Sequence, residues 1–414
     1  MTLNLFLIFA SVFFAFALVS KRIQNGFLTL PILFTGAGFA LHGLIAERAG
    51  LTYDEGGLHT LAELTLILVL AADASQICFK DLRVQRGLPL RLLLIGMPLI
   101  IIAGTLVGIV LFPDYPWYLA ALVAAILAPT DAALGGSVLT SKAIPGKIKQ
   151  SLDVESGLND GLALPAVLFF ACFLNMMHQR TEEDWLIFLA LQIGLGPLVG
   201  AVVGWCGGHL IARAAKADWI TAEFQGVAAV ALAVLAFALA EIVHGNGFIA
   251  AFVAGLVYGN LNLKYSKFMH EFTETESQFL TQLTFFLFGA MILPASLAAF
   301  DITIMLYALL SLTIVRMVPV AIAMIGSRLD WACVLFMGWF GPRGLASILF
   351  ALLIIQDLNV MHGEFVQAVV AMTVLFSIIL HGATAAPFSK ALGRRLAKTT
   401  GPDTTDTEND PAIT

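Results

Sequence analysis

The chain has 414 residues, 59% of them hydrophobic and 12% charged, with a formal net charge of −6. Soluble domains carry about a quarter charged residues, so this balance excludes an ordinary water-soluble enzyme or a nucleic-acid-binding module. The mean hydropathy of +0.91 is spread over many separate apolar runs, each near the roughly 20 residues that a helix needs to cross the hydrocarbon core. Those runs are continuous, whereas a barrel strand alternates apolar and polar residues over about ten positions. The expected fold class is an all-α polytopic membrane protein.

In chain order the pattern predicts helices near 2–20, 26–45, 58–79, 88–112, 116–139, 150–177, 184–212, 220–243, 246–262, 278–298, 301–326, 332–356 and 364–389. That makes about thirteen spans. The first run has no basic region before it and is followed by Lys21 and Arg22. It therefore suits a first membrane helix rather than a cleaved signal.

Alternate connections hold the basic residues, as topology rules require of a correct helix count. One side carries Lys21, Arg22, Lys80, Arg83, Arg86, Arg91, Lys142, Lys147, Lys149, Arg213 and Lys216. The same side continues with Lys264, Lys267, Arg328, Lys390, Arg394, Arg395 and Lys398, and the other carries only Arg48 and Arg180. This asymmetry predicts an outside N-terminus and a cytoplasmic C-terminus in the cell (inner) membrane. Residues 399–414 place Asp403, Asp406, Glu408 and Asp410 among Thr and Pro, and read as a short disordered cytoplasmic tail. Cys78, Cys172, Cys206 and Cys333 lie in or beside apolar segments without CxxC spacing. They are expected to pack in the core rather than to pair or bind metal.

Arg316 and Arg343 fall inside predicted spans, as do Glu63, Asp73, Asp131, Asp153, Glu155, Asp160 and Glu241. Charge inside a membrane is costly, and each such residue is a functional-site hypothesis. With a rise of about 1.5 Å per residue, Asp73, Asp131, Asp160 and Arg343 lie about 9, 12, 15 and 16 Å from one membrane surface. Four charges from four helices thus reach the middle of the membrane from the same side.

Two of these spans also contain helix breakers. Ala128-Pro129-Thr130-Asp131 and Gly341-Pro342-Arg343-Gly344 each place a proline mid-span, where it removes a backbone hydrogen bond. Unwound backbone at that depth must be buried in protein or line a cavity. Two broken helices, spans 5 and 12, predict a transporter built from inverted repeats. Asp131 and Arg343 are placed to compensate the partial charges of the facing half-helix ends.

The sixth span is the densest in polar groups. Ser156 and Asp160 are four residues apart and share one helix face, and Glu155 and Asn159 share the next. One face offers a hydroxyl and a carboxylate to an ion, and the other offers partners to an arginine. Carboxylate, hydroxyl and freed carbonyl oxygens suit sodium, potassium, lithium and protons.

At these positions the chain resembles the monovalent cation/proton antiporters of the CPA1 type, the NhaP-like sodium/proton exchangers related to NHE proteins. The resemblance rests on 128–131, on Glu-Ser-Gly-Leu-Asn-Asp-Gly (155–161), on 341–344, on Ala-Asp-Ala-Ser-Gln-Ile (72–77) and on 247–256. It implies an NhaA/NhaP-like fold and a homodimer within residues 1–398. A core bundle, roughly 88–177 and 301–389, would move against a dimerisation bundle, roughly 2–79 and 184–298. By resemblance, Asp160 is the ion- and proton-binding carboxylate, Ser156 a direct ligand, and Thr130 the donor of a main-chain carbonyl. Asp131 resembles an acidic residue of the site or its charge compensation, and Asp73 an acidic residue near the ion. Glu155 and Arg343 resemble a structural ion pair with Asn159 nearby, and Arg316 a second buried arginine.

The expected function is antiport of Na⁺, with Li⁺ or K⁺ as further candidates, against H⁺, in an electroneutral 1:1 ratio given a single titratable group at Asn159-Asp160. Burial favours the neutral form of a carboxylic acid, so protons compete with the cation for one site. The alternatives are a potassium/proton antiporter or a sodium-coupled solute carrier, and behind them a gated cation channel, whose repeated filter loop is not visible. No catalytic residue, ATP-binding loop or cofactor is expected, the transported Na⁺ and H⁺ apart.

Overall fold

The computed structural model describes residues 3–24, 29–49, 55–77, 87–131, 134, 138, 141, 143–179, 182–261, 278–299, 301–357 and 362–399. Lys80, Arg83, Arg86, Cys78, Lys142, Arg180, Lys264, Lys267 and the tail from residue 400 lie outside the described residues. Among the described residues all regular structure is helical. Among those residues seven helices are long and apolar enough to cross a membrane, and shorter apolar helices accompany them.

The chain begins with α1 (Leu3–Gln24), α2 (Leu30–Ala49) and α3 (Glu55–Gln76). α4 (Gly87–Leu111) contains a π-helical turn at Leu92–Gly96. α5 (Trp117–Ile126) stops in mid-span, ahead of an unwound stretch through Asp131. Most of the second half of this span, expected to reach 139, lies outside the described residues. The long α6 (Gly146–Gln179) and α7 (Glu182–Lys216) follow, then α8 (Ala222–Ile242) and α9 (Gly247–Leu261). α10 (Gln278–Ala298) carries a second π-helical turn at Phe288–Ile292.

The predicted span 301–326 is not continuous. It divides at Thr313 (φ −110°, ψ −94°) into α11 (Ile302–Leu312) and α12 (Ile314–Ala323). The Thr313 hydroxyl donates to the Leu309 carbonyl at 2.7 Å, which satisfies a backbone group beside the break. The predicted span 332–356 divides as expected into α13 (Trp331–Trp339) and α14 (Leu345–Asp357). α15 (Gly363–Thr399) then runs ten residues beyond its predicted end at 389.

Proline alone does not decide where a helix breaks. Pro165, Pro197, Pro319 and Pro387 sit inside continuous helices. Pro129 and Pro342 lie in unwound backbone, where side chains from the other broken span take over freed backbone groups.

Most helices fall into two groups. In the first, α7, α8, α9 and α3 lie against one another; α2 packs on α1 and α10, and α2 and α10 lie against α15 of the second. In the second group α4 packs on α5 and α12, α5 on α6, α11 on α15 and α12 on α13. α3 bridges the two by lying against both α6 and α14. At one contact between the groups, a β-carbon on Gly161 of α6 would strike the Phe252 ring of α9 at 2.6 Å. Cys172 and Cys333 are buried as expected of packing residues. Cys206 is not: it is exposed on α7, on a helix that also exposes Leu198, Val202, Trp205 and Leu210.

Candidate functional site

The two unwound stretches cross, and each compensates the other. Asp131 donates its backbone N–H to the Pro342 carbonyl at 2.8 Å. Its carboxylate Oδ2 accepts the Leu345 N–H at 2.8 Å. A negative charge thus caps the N-terminal end of α14, where backbone donors and the helix dipole favour it. In the reverse direction, Arg343 Nη1 donates to the carbonyls of Ala128 at 3.1 Å and Pro129 at 3.2 Å, just past the C-terminal end of α5. The Ser347 hydroxyl donates to the Ile126 carbonyl at 2.8 Å. The charge compensation expected of Asp131 and Arg343 is present, and each residue serves the other broken helix.

The glycines of 341–344 follow from this crossing. A β-carbon at Gly344 would fall on the Asp131 carboxylate, and one at Gly341 would fall on the Arg316 guanidinium. Only a residue without a side chain lets both charged groups approach the backbone so closely.

α6 presents its polar segment to the unwound end of α5. The Ser156 hydroxyl donates to the Thr130 carbonyl at 2.6 Å, and Asn159 Nδ2 donates to the Thr130 hydroxyl at 2.6 Å. Asp160 lies one turn beyond Ser156 and is 8% exposed. Its Oδ1 has no hydrogen-bond partner among the described residues. Asp73 and Asp131 are close enough to act electrostatically on Asp160, and Asp153 acts on Asp73. α3 brings Asp73 in beside α6: a β-carbon at Gly157 would lie 3.7 Å from the Asp73 carbonyl. Asp73 and Asp131 are each half-buried.

The ion pair expected between Glu155 and Arg343 is not the one that forms. Glu155 binds Arg316, with Nη1 to Oε1 at 2.6 Å and Nη2 to Oε2 at 2.8 Å. The reason is geometric: the Arg343 guanidinium is engaged with the carbonyls past α5, and the interruption at Thr313 starts a new helix that carries Arg316 to α6. Arg343 still lies within electrostatic range of both Arg316 and Glu155, so one carboxylate serves two guanidinium groups. Asn159 supports Thr130 rather than Glu155.

Among the described residues no three His, Cys, Asp or Glu side chains gather in a cage for a divalent or transition metal. What converges is a hydroxyl, a main-chain carbonyl and a buried carboxylate, oxygen chemistry that hard monovalent cations favour. Two polar residues absent from the sequence-based expectations also belong to the crossing. Ser377 Oγ accepts the Arg343 N–H at 2.6 Å, and His381 Nε2 lies 2.9 Å from the Trp339 carbonyl. Their four-residue spacing in an apolar helix is a signal that the sequence carries.

A family model for the transmembrane sodium/hydrogen exchanger matches residues 8–391, and the chain belongs to that family. It is similar to the K(+)/H(+) antiporter NhaP of Alkalimonas amylolytica, 25% identical over 97% of this chain and 69% of that protein. It is likewise similar to the Na(+)/H(+) antiporter NhaH of Halobacillus dabanensis, 27% identical over 84% of this chain and 86% of that protein. Among solved structures, the sodium proton antiporter MjNhaP1 of Methanocaldococcus jannaschii shares the fold. The TM-score is 0.74 at 20% identity, covering 94% of this chain and 100% of that one.

Proposed function

We propose that this protein is a secondary active antiporter that exchanges a monovalent cation for protons by alternating access. The observation that carries this reading is the convergence of Thr130, Ser156 and Asp160 at the crossing of two broken helices. Asp160 binds cation and proton in turn. The Ser156 hydroxyl and the Thr130 carbonyl supply neutral oxygens, and Asp131 and Asp73 add negative charge around them. The Ser156 proton needs only to rotate away from Thr130 for both oxygens to turn lone pairs towards a cation.

Competition for Asp160 makes the exchange obligatory. A carboxylate with neither cation nor proton is costly to carry through the middle of a membrane. Only the loaded, neutralised bundle therefore crosses between inward- and outward-facing states. Residues 88–177 and 301–389 form the moving core in this reading, and 2–79 and 184–298 the dimerisation bundle of a homodimer. The side rich in Lys and Arg is cytoplasmic, with the N-terminus outside, in the cell membrane.

Sodium is the first candidate substrate, with lithium and potassium beside it. The potassium reading is favoured by a relative named as a K(+)/H(+) antiporter. The test is purified protein in liposomes enclosing a pH dye, with sodium, lithium, potassium and choline added in turn. Proton movement with one or more of the alkali cations and none with choline is expected. Silence with all four overturns the antiport reading.

A further inference from the structure

We propose that His381 and Ser377 of α15 form a positioning clasp that joins the two rims of the break between α13 and α14, through His381 in its neutral form. His381 is 1% exposed and Ser377 is 0% exposed. His381 Nε2 lies 2.9 Å from the carbonyl of Trp339, the last residue of α13. A carbonyl only accepts, so Nε2 carries the proton and donates. On the other rim, the Arg343 N–H donates to Ser377 Oγ at 2.6 Å. Ser377 Oγ then has a proton to place, and His381 Nδ1 lies 3.2 Å away. A single chain runs from the Arg343 N–H through the Ser377 hydroxyl to Nδ1, and from Nε2–H to Trp339.

Protonated on both nitrogens, the ring loses its acceptor, and the Ser377 hydroxyl must turn elsewhere. The Nδ1 contact to the Ser377 carbonyl at 3.0 Å is the one such a doubly protonated ring would use, so the two forms make different demands on the side chain. The charged groups that act on the ring are Arg343 and Arg316. Trp339 reinforces the join, its ring centroid 5.2 Å from that of His381 and its Nε1–H donating to the Thr384 hydroxyl at 2.9 Å.

The clasp acts at a distance from the cation. By fixing residues 339 and 343 it fixes the Arg343 guanidinium on the carbonyls of Ala128 and Pro129, and the Pro342 carbonyl on Asp131. Thr130 lies between those contacts. A loosened break therefore displaces the Thr130 carbonyl, and cation affinity falls before turnover does.

A glutamine amide offers both a donor and an acceptor, as a neutral imidazole does, and it cannot titrate. The readout rests on the antiport reading, so wild-type flux in the same liposomes is the control. Absence of wild-type flux overturns antiport, whereas the clasp is judged only by variants against an active wild type. His381→Leu is expected to raise the apparent KM for the cation about tenfold, the effect of losing one buried hydrogen bond, with a smaller change in kcat. Ser377→Ala is expected to act in the same direction, and the double variant to be no worse than His381→Leu alone. His381→Gln is expected to keep KM within about threefold of wild type and to leave the pH profile unmoved.

A Gln variant as impaired as Leu, or one with a displaced pH profile, overturns the neutral clasp. Wild-type KM in folded His381→Leu overturns it too. If His381→Leu does not fold, Gln and Ser377→Ala decide: the clasp requires the first to bind like wild type and the second to bind more weakly.

Discussion

Arg316 closes on Glu155 through two parallel contacts, at 2.6 and 2.8 Å, where the two side chains are only 1% and 3% exposed. This is the fork-on-carboxylate geometry that makes arginine the preferred partner for a buried acid. It fastens α12 to α6, on the helix that presents Ser156 and Asp160.

Removing either partner leaves an uncompensated buried charge, at a cost of about 3–5 kcal/mol. Glu155→Leu and Arg316→Met are each expected to lower the melting temperature markedly, and Glu155→Leu more, because Arg343 shares the same carboxylate. The double variant is expected to recover part of the loss. Thermal unfolding in detergent, followed by size-exclusion chromatography, makes the comparison. Strictly additive losses would show that the two residues do not act as a pair.

Asp131 has two candidate roles, and substitution separates them. As the cap of α14 it needs an oxygen acceptor for the Leu345 N–H. As part of the site's charge it needs to be ionised. Asp131→Asn keeps the acceptor, so stability is expected to stay near wild type while cation affinity falls. Asp131→Ala removes both, and a lost cap costs about 1 kcal/mol. Equal melting temperatures for Ala and Asn would remove the capping role.

The broken helices were legible in the sequence because a mid-span proline stands within two residues of a charge in each, at Pro129-Thr130-Asp131 and Pro342-Arg343. That Asp131 and Arg343 compensate half-helix ends was legible as well, since helix-end polarity requires an acid at one terminus and a base at the other; that each serves the other broken helix was not. The partner of Glu155 was not. Choosing between Arg316 and Arg343 depends on where α12 begins, and Thr313 carries no proline or glycine to announce that interruption. The clasp went unread for another reason. Ser377 and His381 match the helical period, but their acceptor and donor lie in unwound backbone, which side-chain patterns do not describe.

Asp160 gives the most direct test of the transport site. Asp160→Asn keeps the shape of the side chain and removes its charge. Exchange is expected to fall below detection while the protein remains monodisperse with a melting temperature at or above wild type. The stability follows because burying a neutral amide is less costly than burying a carboxylate. Sodium-, lithium- or potassium-dependent proton flux at wild-type rates in a folded Asp160→Asn protein would sink the assignment.

The last prediction concerns charge balance and rests on Asn159. It is 2% exposed and donates through Nδ2 to the Thr130 hydroxyl, so it contributes a neutral amide beside Asp160. With one titratable group at this pair, one proton exchanges for one monovalent cation and no net charge moves. Membrane potential should then neither drive nor oppose turnover. In liposomes clamped with potassium and valinomycin, initial sodium-driven rates at zero and at about 100 mV are expected to agree, although that potential acts on a full charge with about 2.3 kcal/mol. Asn159→Asp places a second carboxylate beside Asp160 and removes the donor to Thr130. Any activity that survives in that variant is expected to become sensitive to potential. A wild-type rate that changes severalfold with potential rules out electroneutral exchange, and would assign a second transported charge to Asp131 or Asp73.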